Sequence, residues 1–216
     1  WLDDYALFVA IQKEHDGADW REWPDELTAR EPDALEDARE RLAETVTRIQ
    51  FEQWQFDRQW TDLRDYANER GVQFIGDAPI FVAMDSADAW AHREIFRIGD
   101  DGEPDVVAGV PPDYFSETGQ KWGNPLYDWE ALAETDYEWW LKRLDRLTET
   151  VSLTRIDHFR GFEAYWEVPA DAPTAETGQW VDGPGDDFFE AVADRFGELP
   201  LIAEDLGMIT EEVHEL

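Results

Sequence analysis

The 216-residue sequence carries 52 acidic against 18 basic residues, a formal net charge of −34, which excludes the clustered Lys and Arg that nucleic-acid phosphates require. It has no Cys, so neither a disulfide nor a Cys-based metal site can form. With 43% hydrophobic and 14% aromatic residues it has the material for a packed core, and the acidity reads as a carboxylate-covered surface suited to a halophilic, cytoplasmic protein whose self-repulsion is screened by salt.

In chain order, "WLDDYALFVAIQKEH" (1–15) reads as an amphipathic helix and "DGADWREWPDELTAREP" (16–32) as a polar loop. Residues 33–69 form the most helical region, with Leu and aromatic residues at three- and four-residue steps and Gly71 as a stop. The helical segments of residues 1–70 are expected to form an insertion. "VQFIGDAP" is a short apolar run bounded by Gly and Pro, a buried strand near 72–77. Residues 97–129 read as a long loop-rich region, too aromatic to be disordered. A helix over "DYEWWLKRLDRLTETV" then leads to a strand near 152–157, a second loop, a helix over "DFFEAVADRFGE", and a strand near 200–204.

Strands alternating with helices imply βαβ units and a parallel sheet. There is no GxGxxG or GxxxxGK[ST], which removes support for the nucleotide-binding versions. The remaining common architecture is α/β of the (β/α)8 TIM-barrel type, where chemistry sits at the C-terminal ends of strands. No apolar run reaches ~18 residues, so no membrane span is expected. His15, His92, His158 and His214 show no HExxH spacing, and neither a metal nor a cofactor is expected.

The three expected strands each run into a carboxylate: Asp77, Asp157 and Glu204. For any one of them the ordinary role is a helix N-cap or an ion pair. Three on consecutive parallel strands converge on one rim, and a pair of rim carboxylates suits retaining glycoside chemistry. Arg155 lies two residues before Asp157, so both side chains share a strand face, a setting that suits an ionised nucleophile. The apolar flank of Glu204, "LPLIA", is expected to shield it from water, as a general acid requires. The abundant Trp, Tyr and Phe suit stacking on sugars, whereas Trp139 and Trp140 read as core.

The strings "FEQWQFDRQW", "YANERGVQFIGDAPIFVAMDSADAWAHREIF", "AGVPPDYFSETGQKWGNPLYDW", "RIDHFRGFEAYWEVP" and "LIAEDLGMIT" together resemble the 4-α-glucanotransferases, or amylomaltases, along nearly the whole chain. By that resemblance Asp157 is the nucleophile and Glu204 the acid/base, while Arg155 and His158 hold the donor sugar. Asp77 supports the site, and Tyr114, Phe115 and Trp122 belong to a glucan-facing loop. The implied reaction is retaining transfer of α-1,4-glucan segments between maltooligosaccharides, with glucose able to act as acceptor. The family also uses a third carboxylate in a His-Asp motif, absent up to Leu216. The 1–216 chain is therefore expected to be a central piece of a single catalytic barrel, about three strands of eight, and inactive alone. An α-amylase-like retaining hydrolase and a non-catalytic glucan-binding module are the alternatives.

Overall fold

A computed structural model describes residues 1–114, 116–198, 200–206 and 210–216. Its N-terminal part is helical: α1 (Leu2–Glu14), α2 (Asp25–Thr28), α3 (Pro32–Arg41) and α4 (Ala43–Asn68). The single helical region expected over 33–69 is two helices, because Leu42 leaves the helical basin at φ −103°, ψ 13°. Pro32 opens α3 at a position where its missing N–H is harmless. Leu7, Phe8 and Ile11 of α1 pack with Trp20, Trp23 and Trp90 into a core separate from that of the sheets. The "polar loop" thus supplies two of that core's largest side chains. Their indoles remain paired, Trp20 Nε1 to the Met84 carbonyl at 2.8 Å and Trp23 Nε1 to the Ala18 carbonyl at 3.1 Å.

The strands expected from the apolar runs are present. They are β1 (Ile75–Pro79), β4 (Leu153–Asp157) and β7 (Leu201–Ala203), one parallel sheet in the order β1-β4-β7. Register places Asp77 beside Arg155 and Pro79 beside Asp157, and Ile156 beside Ala203. Between β1 and β4 the chain forms α5 (Ala87–Ala91), α6 (Trp129–Glu134) and α7 (Glu138–Thr150), and between β4 and β7 it forms α8 (Gly185–Phe196), the βαβ pattern of barrel proteins. Thr154 and Ile156 point to the buried face, while Arg155 and Asp157 lie on the other, more open one.

Two regions differ from expectation. The "loop-rich" 97–129 segment contains β2 (Val106–Val110) and β3 (Gln120–Pro125), and the aromatic tail after Asp157 forms β5 (Ala164–Pro169), followed by β6 (Gln179–Asp182). These pair in a four-stranded antiparallel sheet, β3-β2-β5-β6. Gly109 has no side chain because a Cβ there would lie 2.4 Å from the Gln120 carbonyl oxygen on β3. Trp140 of α7 and Phe188 of α8 form a ring cluster with Phe162, which stacks on Phe188 at 4.9 Å and 5°. Trp140 is core as expected; Trp139 is half-buried beside it. Among the described residues no helix is long and apolar enough to cross a membrane.

Candidate active site

Asp157 is the last residue of β4, and Glu204 follows the last residue of β7. The Glu204 N–H donates to the Ile156 carbonyl at 3.2 Å, which continues the ladder and sets Glu204 laterally beside Asp157. Neighbouring parallel strands lie ~4.8 Å apart, so two lateral side chains on one face can work on one small group. Asp77 is not at a strand end as the sequence suggested. β1 continues two residues to Pro79, because the Ile80 N–H still donates to the Asp157 carbonyl at 3.3 Å.

The side chains on the open face are joined by Arg155. One guanidinium nitrogen lies 2.6 Å from Asp77 Oδ1 and the other 2.6 Å from Asp157 Oδ1. Those hydrogen bonds, to Asp77 first and then Asp157, raise the Arg155 pKa above its ordinary value. Glu204 Oε1 accepts from the Leu206 N–H at 2.5 Å, a backbone donor that orients the carboxylate. The apolar flank does not shield Glu204 as expected. Leu201 is half-buried, Ile202 and Ala203 are exposed, and the carboxylate itself is only half-buried.

His158 follows Asp157 in the left-handed conformation, φ 54° and ψ 43°, which turns the chain into the 3-10 turn Phe159–Phe162. Its ring packs edge-on against Trp122 of β3, 4.9 Å between centroids at 86°, and near Phe81 at 6.3 Å. Burial, reinforced by Arg160, pushes its pKa down to about 4, against the opposing pull of Asp157. Nε2 of His158 is buried and has no hydrogen-bond partner among the described residues. The space for the ring exists because position 161 is Gly: a Cβ there would meet Ile80 Cδ1 at 2.9 Å and His158 Cδ2 at 3.3 Å.

The structure therefore brings Asp77, Arg155, Asp157, His158, Glu204 and Trp122 to one region. Tyr114 lies on the connection between β2 and β3 and is 89% exposed. Phe115 is outside the described residues. Sequence reading missed the residues that hold the segment after β1: Asn124, Tyr127 and Arg143, each of which donates to a carbonyl there. Asn124 and Tyr127 had only the string "GNPLY" as a signal, amid a stretch otherwise read as loop, and Arg143 had none beyond its place in a helix. Among the described residues no group of three His, Asp or Glu could hold a metal ion.

A sequence model of the family described as 4-alpha-glucanotransferase matches residues 1–216. The chain is 54% identical to the 4-alpha-glucanotransferase of Thermus thermophilus over 216 residues, covering 100% of this chain and 43% of that protein. It is 50% identical over 218 residues to the 4-alpha-glucanotransferase of Synechocystis sp., again covering 100% and 43%. Among solved structures, the amylomaltase from Streptococcus agalactiae in complex with acarbose matches it with a TM-score of 0.96 and 40% identity, over 100% of this chain and 44% of that one. The chain spans less than half the length of these relatives. With every one of its residues inside the family match and the same backbone in the solved relative, this chain belongs to the 4-alpha-glucanotransferase family.

Proposed function

We propose that the protein containing this chain transfers α-1,4-glucan segments between maltooligosaccharides, with Asp157 as nucleophile and Glu204 as acid/base. The observation that carries the reading is the lateral placement of these two carboxylates at the ends of adjacent parallel strands, with Arg155 hydrogen-bonded to Asp157. A spacing of ~5–5.5 Å between carboxyl groups belongs to retaining enzymes, and the ~4.8 Å strand separation is compatible with it.

An Asp157 carboxylate oxygen bonds to the anomeric carbon as the glycosidic C–O bond breaks, and protonated Glu204 gives its proton to the departing 4-oxygen. The ionised Glu204 then takes the proton from the 4-hydroxyl of a second glucan, or of glucose. That oxygen bonds to the anomeric carbon as Asp157 leaves. Neutral His158 offers a buried nitrogen for a sugar hydroxyl, and Trp122 fixes its ring. Asp77 supports Arg155, and the exposed Tyr114 stacks on the acceptor sugar. The large acidic excess supports a further reading, that the protein works in a salt-rich cytoplasm.

Full-length protein given maltotriose tests the reading. Glucose together with a ladder of longer oligosaccharides is the expected product pattern, and shortening alone would favour a hydrolase. Asp157→Asn and Glu204→Gln are each expected to lower the rate by roughly 10³-fold or more. Unaltered behaviour in both variants would leave only a glucan-binding module.

A further inference from the structure

We propose that Arg143, on the outer helix α7, is a positioning residue for the nucleophile strand, acting through the carbonyls of the segment that follows β1. This rests on the reading of Asp157 as nucleophile. Arg143 Nη2 donates to the Pro79 carbonyl at 2.6 Å. Its Nη1 donates to the Ile80 carbonyl at 3.1 Å and to the Tyr127 hydroxyl oxygen at 3.2 Å. Tyr127 in turn donates its hydroxyl to the same Ile80 carbonyl, at 2.8 Å. Two residues further on, Asn124 Nδ2 donates to the Val82 carbonyl at 2.7 Å.

Pro79 ends β1 on its exposed side, while Ile80 and Val82 are buried just beyond the parallel sheet, where the chain no longer has ladder partners for all its carbonyls. Buried carbonyls must be paired, and at Ile80 and Val82 side chains from other elements do it. The pairing reaches the chemistry through three short links. Pro79 is the register partner of Asp157, and the Ile80 N–H donates to the Asp157 carbonyl at 3.3 Å. The third link is Phe81, buried between Ile80 and Val82, whose ring lies 6.3 Å from His158. A shift of the Pro79–Val82 segment would therefore move the backbone of Asp157 and the packing of His158 together.

Arginine suits the post for reasons of shape. Its planar fork reaches two successive carbonyls and a hydroxyl at once, which an ammonium cannot do in fixed directions. Its guanidinium also lies over the Trp140 ring, 4.6 Å from the centroid, so it is held from the helix side as well. Burial raises the Tyr127 pKa, so the phenol remains a hydrogen-bond donor through the working pH range. Arg143 touches neither Asp157 nor Glu204 in this arrangement, and its effect on the reaction is indirect.

Arg143→Met, Arg143→Lys and Tyr127→Phe in the full-length protein test this. Active sites would be titrated with a slow fluorinated glycosyl donor, and maltotriose transfer measured per titrated site. Misplacement by a fraction of an ångström to an ångström lowers rates by up to ~10²-fold without altering ground-state binding to the same degree. The expected result is a kcat per site reduced roughly 10- to 100-fold in Arg143→Met, with KM within about twofold of wild type. Arg143→Lys is expected to recover part of the loss. Tyr127→Phe, which keeps the ring and removes one donor, should show a smaller loss and covers the case in which Arg143→Met does not fold. A wild-type kcat per site in folded Arg143→Met, or in Tyr127→Phe if the former does not fold, would overturn the proposal and leave Arg143 as a stabilising residue only. A wild-type protein without transfer activity would instead overturn the functional reading on which it rests.

Discussion

Arg155 donates to Asp77 and Asp157 at the same time, 2.6 Å to each, because register sets Asp77 directly beside it and strand periodicity sets Asp157 two residues along on the same face. A single cation thereby fixes the positions of two carboxylates. The pairs are partly exposed, with Asp77 at 66% and Asp157 at 50% side-chain exposure, so solvent screens them and they add little to folding. Their worth lies in geometry.

Arg155→Met in the full-length protein is therefore expected to lower kcat by roughly 100-fold while the melting temperature moves little. Arg155→Lys should fall between the two, since a point charge cannot hold both oxygens in fixed directions. Asp77→Asn should be milder still, because Arg155 keeps its bond to Asp157. Steady-state kinetics beside thermal melts decides the matter. A large fall in stability with kcat maintained would make Arg155 a structural residue.

His158 gives a pH dependence of definite sign. Its pKa is pushed down to about 4 by burial and by Arg160, below the ~6.5 of an unfolded chain. Between those values the unfolded state binds a proton that the folded state does not. Stability therefore rises with pH from about 4 to ~6.5, is fully present above ~6.5, and is lost as pH falls through the folded value. The contribution is on the order of 1–3 kcal/mol. Melting of wild type and His158→Gln between pH 4 and 7 should show the slope reduced in the variant. Parallel curves would show that the ring is protonated as readily as in water.

Gly161 is expected to be intolerant of the smallest side chain. Its backbone sits so near Ile80 and His158 that an added Cβ would lie 2.9 Å from one and 3.3 Å from the other. Overpacking of this kind costs about 1–3 kcal/mol. Gly161→Ala should therefore be less stable by that amount in denaturant titration, and should displace the His158 ring signal in NMR. An unchanged ring signal would mean that Ile80 alone gives way.

β1 and β7 were legible as short apolar runs flanked by Gly or Pro; β4, "LTRID", has no such flank, and all three carry a carboxylate at or near the end. Arg155 beside Asp157 followed from period two alone. The antiparallel sheet was not legible, for three physical reasons. β2, "VVAGV", has a Gly where β3 approaches too closely for a Cβ. β3, "QKWGNP", has the composition of a turn, with both Gly and Pro inside it. β5, "AYWEVP", alternates poorly, being buried at Ala164, Tyr165, Glu167 and Val168. Glu167 is a buried acid whose partner, Arg97, lies 70 residues earlier, so no local pattern announces it. Asp77 looked terminal only because the Pro79 that follows is a poor strand residue. Around Glu204, Ile202 is the register partner of Arg155 on the open face, and β7 has a paired strand on one side only among the described residues, so its apolar residues stay exposed.

The charge makes the last prediction. The 18 basic residues, three of them Lys, leave 15 Arg against 52 acids. Several of those Arg already serve two carboxylates each: Arg21 with Asp19 and Glu103, Arg41 with Glu14 and Asp37, Arg146 with Asp57 and Glu149. Sharing cannot neutralise an excess of 34, so the folded state carries a net repulsion that the more expanded unfolded chain relieves. Screening shortens from ~30 Å at 0.01 M to ~3 Å at 1 M salt. The melting temperature is therefore expected to climb steadily with KCl across that range. Sucrose, which is excluded from the protein surface but carries no charge, should reproduce only a minor part of the rise. A melting temperature that stayed flat or fell with KCl would sink the salt-adapted reading, and an equal rise in sucrose would assign the effect to burial instead of charge.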